Sequence, residues 1–172
     1  MALVVFLRGV NVGGHRTFRP SLLASQLRHL DVVNIGAAGT FVVRKRVSKA
    51  TVRSEFAKRL PFDTEIAICD GSDITSLIDR APHGARAAGP GIVRFVSVLV
   101  KPSAAPIKPV KLPATGPWLV RVVSSDRQFV AGEYRRHMKT IGYLGKLDVL
   151  IGAPVTTRNW NTVKLIAKAL SG

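Results

Sequence analysis

The chain has 172 residues, of which 26 are Lys or Arg and 10 are Asp or Glu, giving a formal net charge of +16. Hydrophobic residues make up 47% and charged residues 21%, which excludes a disordered chain and predicts a globular protein. The lone Cys69 excludes an internal disulfide and a cysteine-based zinc cluster, and no apolar run reaches the roughly 18 residues of a membrane span. We therefore expect a cytoplasmic protein with no membrane partner, no metal and no cofactor.

The first segment joins an apolar run to a glycine-rich turn. Residues 2–7 are continuously apolar and rich in β-branched side chains, which is typical of a central strand buried on both faces. Three glycines follow within residues 8–14 and allow backbone N–H groups to face an anion. The spacing fits neither GxGxxG nor GxxxxGK[ST], and an ordinary strand-to-helix turn uses the same glycines. The candidate ligand-binding residues of this turn are Arg8, Gly9, Asn11, Gly13 and Gly14.

The next sixty residues predict two helices and three strands. A helix opens at Pro20 with leucines at helical spacing, and a second helix over residues 48–60 is ended by the following proline. Residues 31–35 and 40–44 predict a hairpin, and residues 65–69 predict a further strand. With the first strand the order is βαββαβ, which predicts an α+β fold with a ferredoxin-like lobe over residues 1–80.

The rest of the chain predicts a smaller α+β lobe over residues 91–172, closed by a terminal helix and forming one compact unit with the first lobe. Residues 92–100 are the longest strand candidate. Residues 101–117 are rich in proline, which lacks a backbone N–H, so we expect a surface loop there. Residues 118–131 predict a second hairpin, turning at residues 124–126.

A basic cluster follows this hairpin, over residues 133–139. Tyr134 lies among Arg135, Arg136, His137 and Lys139, and such interleaving is used by nucleic-acid surfaces for phosphate contact and base stacking. The alternative is an ordinary solvated turn. Arg135, Arg136 and Lys139 are the candidate nucleic-acid contacts.

The stretch over residues 156–163 combines helix-capping and anion-binding residue types. Either of its first two threonines can cap the terminal helix, whose N–H groups would form a polar mouth with the neighbouring side chains. Trp160 shares the apolar face of that helix, which favours a role in the core. The candidate ligand-binding residues of this mouth are Thr156, Thr157, Arg158, Asn159 and Asn161.

The motifs over residues 7–14 and 156–163 together resemble the bacterial family called domain of unknown function 1697, and the similarity spans almost the whole chain. The resemblance implies an α+β fold with a ferredoxin-like N-terminal lobe and leaves the activity open. The family usually has a Gln-Ser-Gly-Asn turn where this chain has Ala-Ala-Gly-Thr over residues 37–40. If that turn contributes to a site in relatives, the site is altered here.

The sequence leaves three hypotheses for function. No nucleophile with a base, no paired carboxylates and no metal-ligand spacing is visible, so catalytic residues are unknown. The first 90 residues carry a net charge of +6 and the remainder +10. This charge favours a nucleic-acid or other polyanion-binding module, with Arg8, Arg135, Arg136, Lys139 and Arg158 on phosphates. The alternative is an enzyme or sensor that binds a small phosphorylated or carboxylated ligand between the glycine-rich turn and the helix mouth. In the third hypothesis both motifs are structural. The sequence does not indicate an oligomeric state.

Overall fold

The order of elements follows from a computed structural model that describes residues 1–10 and 17–172. In this part of the chain there are nine strands and six α-helices. They are β1 (Leu3–Leu7), α1 (Pro20–Gln26), β2 (Val32–Ile35), β3 (Thr40–Val43), α2 (Lys49–Arg59), β4 (Ile66–Asp70), α3 (Gly71–Asp79), β5 (Ile92–Leu99), β6 (Val110–Leu112), β7 (Val120–Ser125), β8 (Phe129–Arg135), α4 (Thr140–Leu144), α5 (Leu147–Ile151), β9 (Val155–Asn159) and α6 (Trp160–Ser171).

The chain divides into two units. Unit 1 comprises Met1–Leu77 and Asn161–Gly172, and unit 2 comprises Ile78–Trp160. The sequence placed the terminal helix in the second lobe, whereas all of α6 after Trp160 belongs to unit 1. The cause is packing that no local pattern shows. Leu170 reaches the backbone of Gly71, where an added Cβ would lie 2.8 Å from the Leu170 Cδ2 atom.

Unit 1 contains an antiparallel sheet with the strand order β2-β3-β1-β4. All five residues of β1 are buried, and the strand pairs with β3 on one side and β4 on the other, as predicted for a central strand. One face of the sheet forms a core with α1 and α2, in which Leu23, Phe41 and Phe56 are buried. Ser48 precedes α2 as its N-cap residue, and its Oγ accepts a hydrogen bond from the Thr51 N–H at 3.1 Å.

Unit 2 contains a five-stranded antiparallel sheet with the order β6-β7-β8-β5-β9. Phe95, Val122 and Leu147 belong to its core, which includes residues of α4 and α5. The structure thus confirms the mixed α+β fold, with two antiparallel sheets. The proline-rich segment was predicted to be only a loop, but it contains β6. This three-residue strand fits between Pro109 and Pro113 because it lies at the edge of the sheet, where fewer N–H groups are needed for pairing.

Candidate nucleic-acid interface

The glycine-rich turn is described only in part. Gly9 has a φ of +66°, a conformation that favours glycine. The Arg8 Nη1 atom lies 3.0 Å from the Glu65 Oε1 atom, so this guanidinium forms an ion pair within unit 1. Asn11, Gly13 and Gly14 lie outside the described residues. The anion-binding role of this turn therefore stays a prediction. The charge of Arg8 is already paired with the Glu65 carboxylate.

The predicted helix mouth at residues 156–159 is wrong. These residues form most of β9, which pairs with β5 so that Val96 faces Arg158 and Val98 faces Thr156. The helix begins at Trp160. Threonine caps helices, but it is also β-branched and suits strands, and the antiparallel pairing with β5 favours the strand here. Thr156 and Thr157 thus do not cap α6, although Asn159 and Asn161 are exposed where the helix starts.

Arg158 is a buried residue of β9. Only 6% of the residue is exposed. Its Nη1 atom donates hydrogen bonds to Thr156 Oγ1 at 2.7 Å and to the Thr157 carbonyl oxygen at 2.9 Å. Burial lowers the pKa of Arg158 to about 10, which still leaves the guanidinium charged at neutral pH. Because the side chain is buried, we remove Arg158 from the residues that contact nucleic-acid phosphates.

The side chains that remain accessible form a cationic region at the end of β8 and on the segment that follows it. We define the basic end of unit 2 as Arg135, Arg136, Lys139 and Lys146. All four residues are exposed. None forms an ion pair with a carboxylate in the part of the chain that the structure describes. The basic end therefore presents positive charge to solvent.

Hydrogen bonds to backbone carbonyl oxygens hold the start of the basic end in place. The Thr140 Oγ1 hydroxyl donates to the Arg135 carbonyl oxygen at 2.6 Å, and Thr140 is buried. The Arg136 N–H donates to the Gly91 carbonyl oxygen at 3.0 Å. The backbone that carries two of the four cations is thus fixed, so little of it must be ordered when a ligand binds.

Trp118 connects this region to the sheet, which the sequence did not predict. The Cζ atoms of Arg121 and Arg135 lie 4.3 and 4.1 Å from the centre of the Trp118 ring. The Arg135 Nε atom also donates to the Trp118 carbonyl oxygen at 3.0 Å. These cation–π contacts hold both guanidinium groups against the Trp118 ring, while Arg135 stays exposed. A single tryptophan before a strand gives no sequence signal for this arrangement.

Glu133 was predicted to lie in the basic turn, but it is a buried residue of β8. Its carboxylate accepts hydrogen bonds from Arg121 Nη2 at 2.6 Å and from Arg94 Nε at 3.2 Å. Burial raises the pKa of Glu133, but the hydrogen bonds and charges of Arg121 and Arg94 outweigh it, and the net shift of the pKa is downward. The acid thus neutralises arginines of the sheet and none of the basic end.

Large apolar side chains are exposed beside the basic end. Met138 is 87% exposed, Ile141 78% and Val149 84%. They lie on the same short segment as Lys139 and Lys146. Exposed apolar groups close together on a folded surface commonly mark a contact surface.

The described residues contain no group of three or more His, Cys, Asp or Glu side chains that could hold a metal ion. Cys69 is buried in β4, and burial strongly raises the pKa of its thiol, which removes it as a nucleophile.

In the same described part of the chain, none of the helices is both long and apolar enough to cross a membrane.

Comparison with known proteins identifies a family and a fold. No curated protein matches the chain. A solved structure, that of the conserved bacterial protein SP0830 from Streptococcus pneumoniae, is similar over 97% of each chain with a TM-score of 0.57 and 14% sequence identity. At this identity the similarity concerns the fold alone. The family model described as a protein of unknown function (DUF1697) matches residues 1–125. The chain therefore belongs to the DUF1697 family.

Proposed function

We propose that this protein binds nucleic acid through the basic end of unit 2. The observation that carries the proposal is that Arg135, Arg136, Lys139 and Lys146 are exposed and form no ion pair with a carboxylate of the described chain. Such cations are neutralised in solution by mobile ions. A polyanion gains affinity when it replaces them and its own condensed counterions are released.

The distribution of acidic residues in unit 2 supports the same proposal. Residues 78–160 contain thirteen Lys or Arg and four Asp or Glu. Asp126 lies 2.5 Å from Arg80, and Glu133 is held between Arg94 and Arg121. Both carboxylates balance arginines outside the basic end, whose four cations form no ion pair with a carboxylate of the described residues.

The exposed apolar groups favour nucleic acid with accessible bases. Met138 and Ile141 flank Lys139, so one short segment offers both a phosphate contact and apolar contact area. In a duplex the faces of the bases are stacked and cannot be reached, whereas single strands and loops expose them. Within the proposal, single-stranded nucleic acid therefore binds more tightly than duplex of equal length.

The test is the salt dependence of binding, measured by fluorescence anisotropy with labelled single-stranded and duplex DNA and RNA. The variant is Arg136→Ala with Lys139→Ala. The control is Lys164→Ala with Lys168→Ala, which removes the same charge from exposed positions of α6. Each phosphate contact contributes about 0.7–0.9 to the slope of log K against log salt. We expect the variant to lower that slope by about 1.5 and to weaken binding, while the control changes little.

Equal losses in the variant and the control would contradict the proposal, because binding would then follow net charge alone. Equal affinity for single strands and duplexes would remove the role of Met138 and Ile141. Binding in the cytoplasm, where nucleic acids are accessible, is part of the same proposal.

Two further predictions stay proposals. They are the ferredoxin-like arrangement of unit 1 and the binding of a small anionic ligand. The strand order β2-β3-β1-β4, with β1 antiparallel to both neighbours, supports a ferredoxin-like arrangement of unit 1. The second candidate function is a small anionic ligand bound between the glycine-rich turn and the start of the terminal helix. That helix begins at Trp160, with Asn159 and Asn161 exposed beside its start.

A further inference from the structure

The edge of the unit 2 sheet contains a cavity that the proposed function does not use. Its volume is about 590 Å³, and Pro109, Val110, Lys111, Ala114, Arg121 and Val122 line it. Volumes of roughly 300–1,000 Å³ are typical of pockets for small molecules. The cavity adjoins β6 and β7 and lies entirely within unit 2.

Two cations lie side by side at this cavity. Lys111 of β6 and Arg121 of β7 are directly opposite each other in the antiparallel register, which puts their side chains on the same face of the sheet. Lys111 is exposed and forms no ion pair with a described carboxylate. The two like charges would favour an anion between them, because opposite charge removes their mutual repulsion.

The charge available to a ligand is close to one unit. Arg121 donates through Nε and Nη2 to Glu133 Oε1, at 3.0 and 2.6 Å, so much of its charge is already balanced. Its Nη1 group is not used in these bonds, and Lys111 keeps its full charge. A guanidinium fork and an ammonium suit a carboxylate, and a single negative charge suffices here.

The other residues that line the cavity indicate which kind of chemical group can be attached to the carboxylate. Pro109, Ala114 and the half-buried Val123 contribute apolar surface, which favours an aromatic or aliphatic group over a sugar or a second charged group. We propose that this cavity binds a small monocarboxylic acid with an apolar body, its carboxylate between Lys111 and Arg121. This inference does not rest on nucleic-acid binding.

The test uses 2-naphthoate as the probe and 2-naphthamide as its uncharged counterpart, titrated into the isotope-labelled full chain and followed by amide chemical shifts. We expect 2-naphthoate to shift the amides of Val110, Lys111, Ala114 and Val122 in a saturable manner. The amide probe should bind about tenfold more weakly, which corresponds to loss of one charge-assisted contact.

Two variants separate the pocket from general attraction of anions. Lys111→Ala should weaken 2-naphthoate about tenfold, whereas Lys108→Ala, on the same proline-rich segment but not lining the cavity, should leave it unchanged. Ala114→Trp keeps every charge and fills the cavity, and since Ala114 is exposed the chain should still fold. It should abolish the saturable shifts.

The proposal is overturned if 2-naphthamide binds as tightly as 2-naphthoate, or if Ala114→Trp binds the probe normally. Shifts spread over other basic surfaces would also overturn it. Anisotropy with oligonucleotides on the same Ala114→Trp sample distinguishes failure of this site from failure of the proposed function, because the tryptophan leaves the basic end unchanged.

Discussion

Gly132 and Phe95 face each other across β8 and β5, and the Phe95 ring occupies the space that a side chain at residue 132 would need. A Cβ atom on Gly132 would clash with Phe95 Cζ and would lie 2.5 Å from the Arg121 carbonyl oxygen. The backbone oxygen cannot move without disturbing β7. The packing of the unit 2 core around Phe95 thus depends on the absence of a methyl group.

We expect Gly132→Ala to lower the free energy of unfolding by about 1–3 kcal/mol, as overpacked cores do. Denaturant unfolding followed by circular dichroism measures the change. Gly142→Ala is the matched control, since no heavy atom lies within 4 Å of its added Cβ and α4 should gain about 0.5–1 kcal/mol from alanine. If both variants were equally stable, the contact between Phe95 and Gly132 would not constrain the fold.

The Glu133 carboxylate is expected to stabilise unit 2 as the acceptor shared by two arginines. Glu133→Gln keeps the shape of the side chain but leaves Arg94 and Arg121 without a counter-charge in a largely buried place. Removing one partner of a buried ion pair costs about 3–5 kcal/mol, and partial exposure of Arg121 places the expected loss near the lower value. Thermal unfolding of Glu133→Gln measures it. As a control, Asp126→Asn removes the partner of Arg80 at an exposed site and should cost less than about 1 kcal/mol.

The His83 ring should make stability depend on pH. Its Nε2 atom lies 3.0 Å from the carbonyl oxygens of both Phe95 and Gly132, so Nε2 carries the hydrogen. Its Nδ1 atom is buried and has no hydrogen-bond partner among the described residues. Burial, assisted by the charge of Arg94, lowers the pKa of His83. The neutral ring is therefore favoured in the folded state.

Since the folded pKa is below the unfolded value of about 6.5, the unfolded chain binds more protons between the two values. The contribution of His83 is complete above about pH 6.5 and is lost as the pH falls toward the folded pKa. We expect the difference in unfolding midpoint between wild type and His83→Gln to be smaller at pH 5.5 than at pH 7.5. An unchanged difference would show that His83 does not titrate differently in the two states, whatever the other histidines contribute.

The sequence predicted the elements whose signal is local. The apolar run of β1, Pro20 at the start of α1 and Pro61 after α2 each specify their element within a few residues, and the structure agrees. Residues 156–159 were misjudged because threonine serves both as a helix cap and as a strand residue. The strand conformation of these residues follows from their pairing with β5, in which Val96 faces Arg158, and these two positions are far apart in the chain.

In the candidate interface too, the sequence predicted features with a local signal and missed those that depend on distant contacts. Arg135, Arg136 and Lys139 could be recognised from their composition, and all three are exposed. The burial of Glu133 and the contacts of Trp118 with Arg121 and Arg135 depend on cross-strand neighbours, which sequence spacing does not reveal. Exposure of Arg158 was wrongly expected because a charged residue is rarely buried.

Because α6 after Trp160 belongs to unit 1, the order of synthesis determines when each unit can finish folding. Residues 161–172 are synthesised after the whole of unit 2, yet Val163 and Ile166 are buried, and Ala169 accepts a hydrogen bond from Arg44 at 2.9 Å. The four strands of unit 1 leave the ribosome long before these partners exist. Domains often fold during translation from the N-terminus onward. Here the first unit to emerge is completed only after every strand of the second has been made.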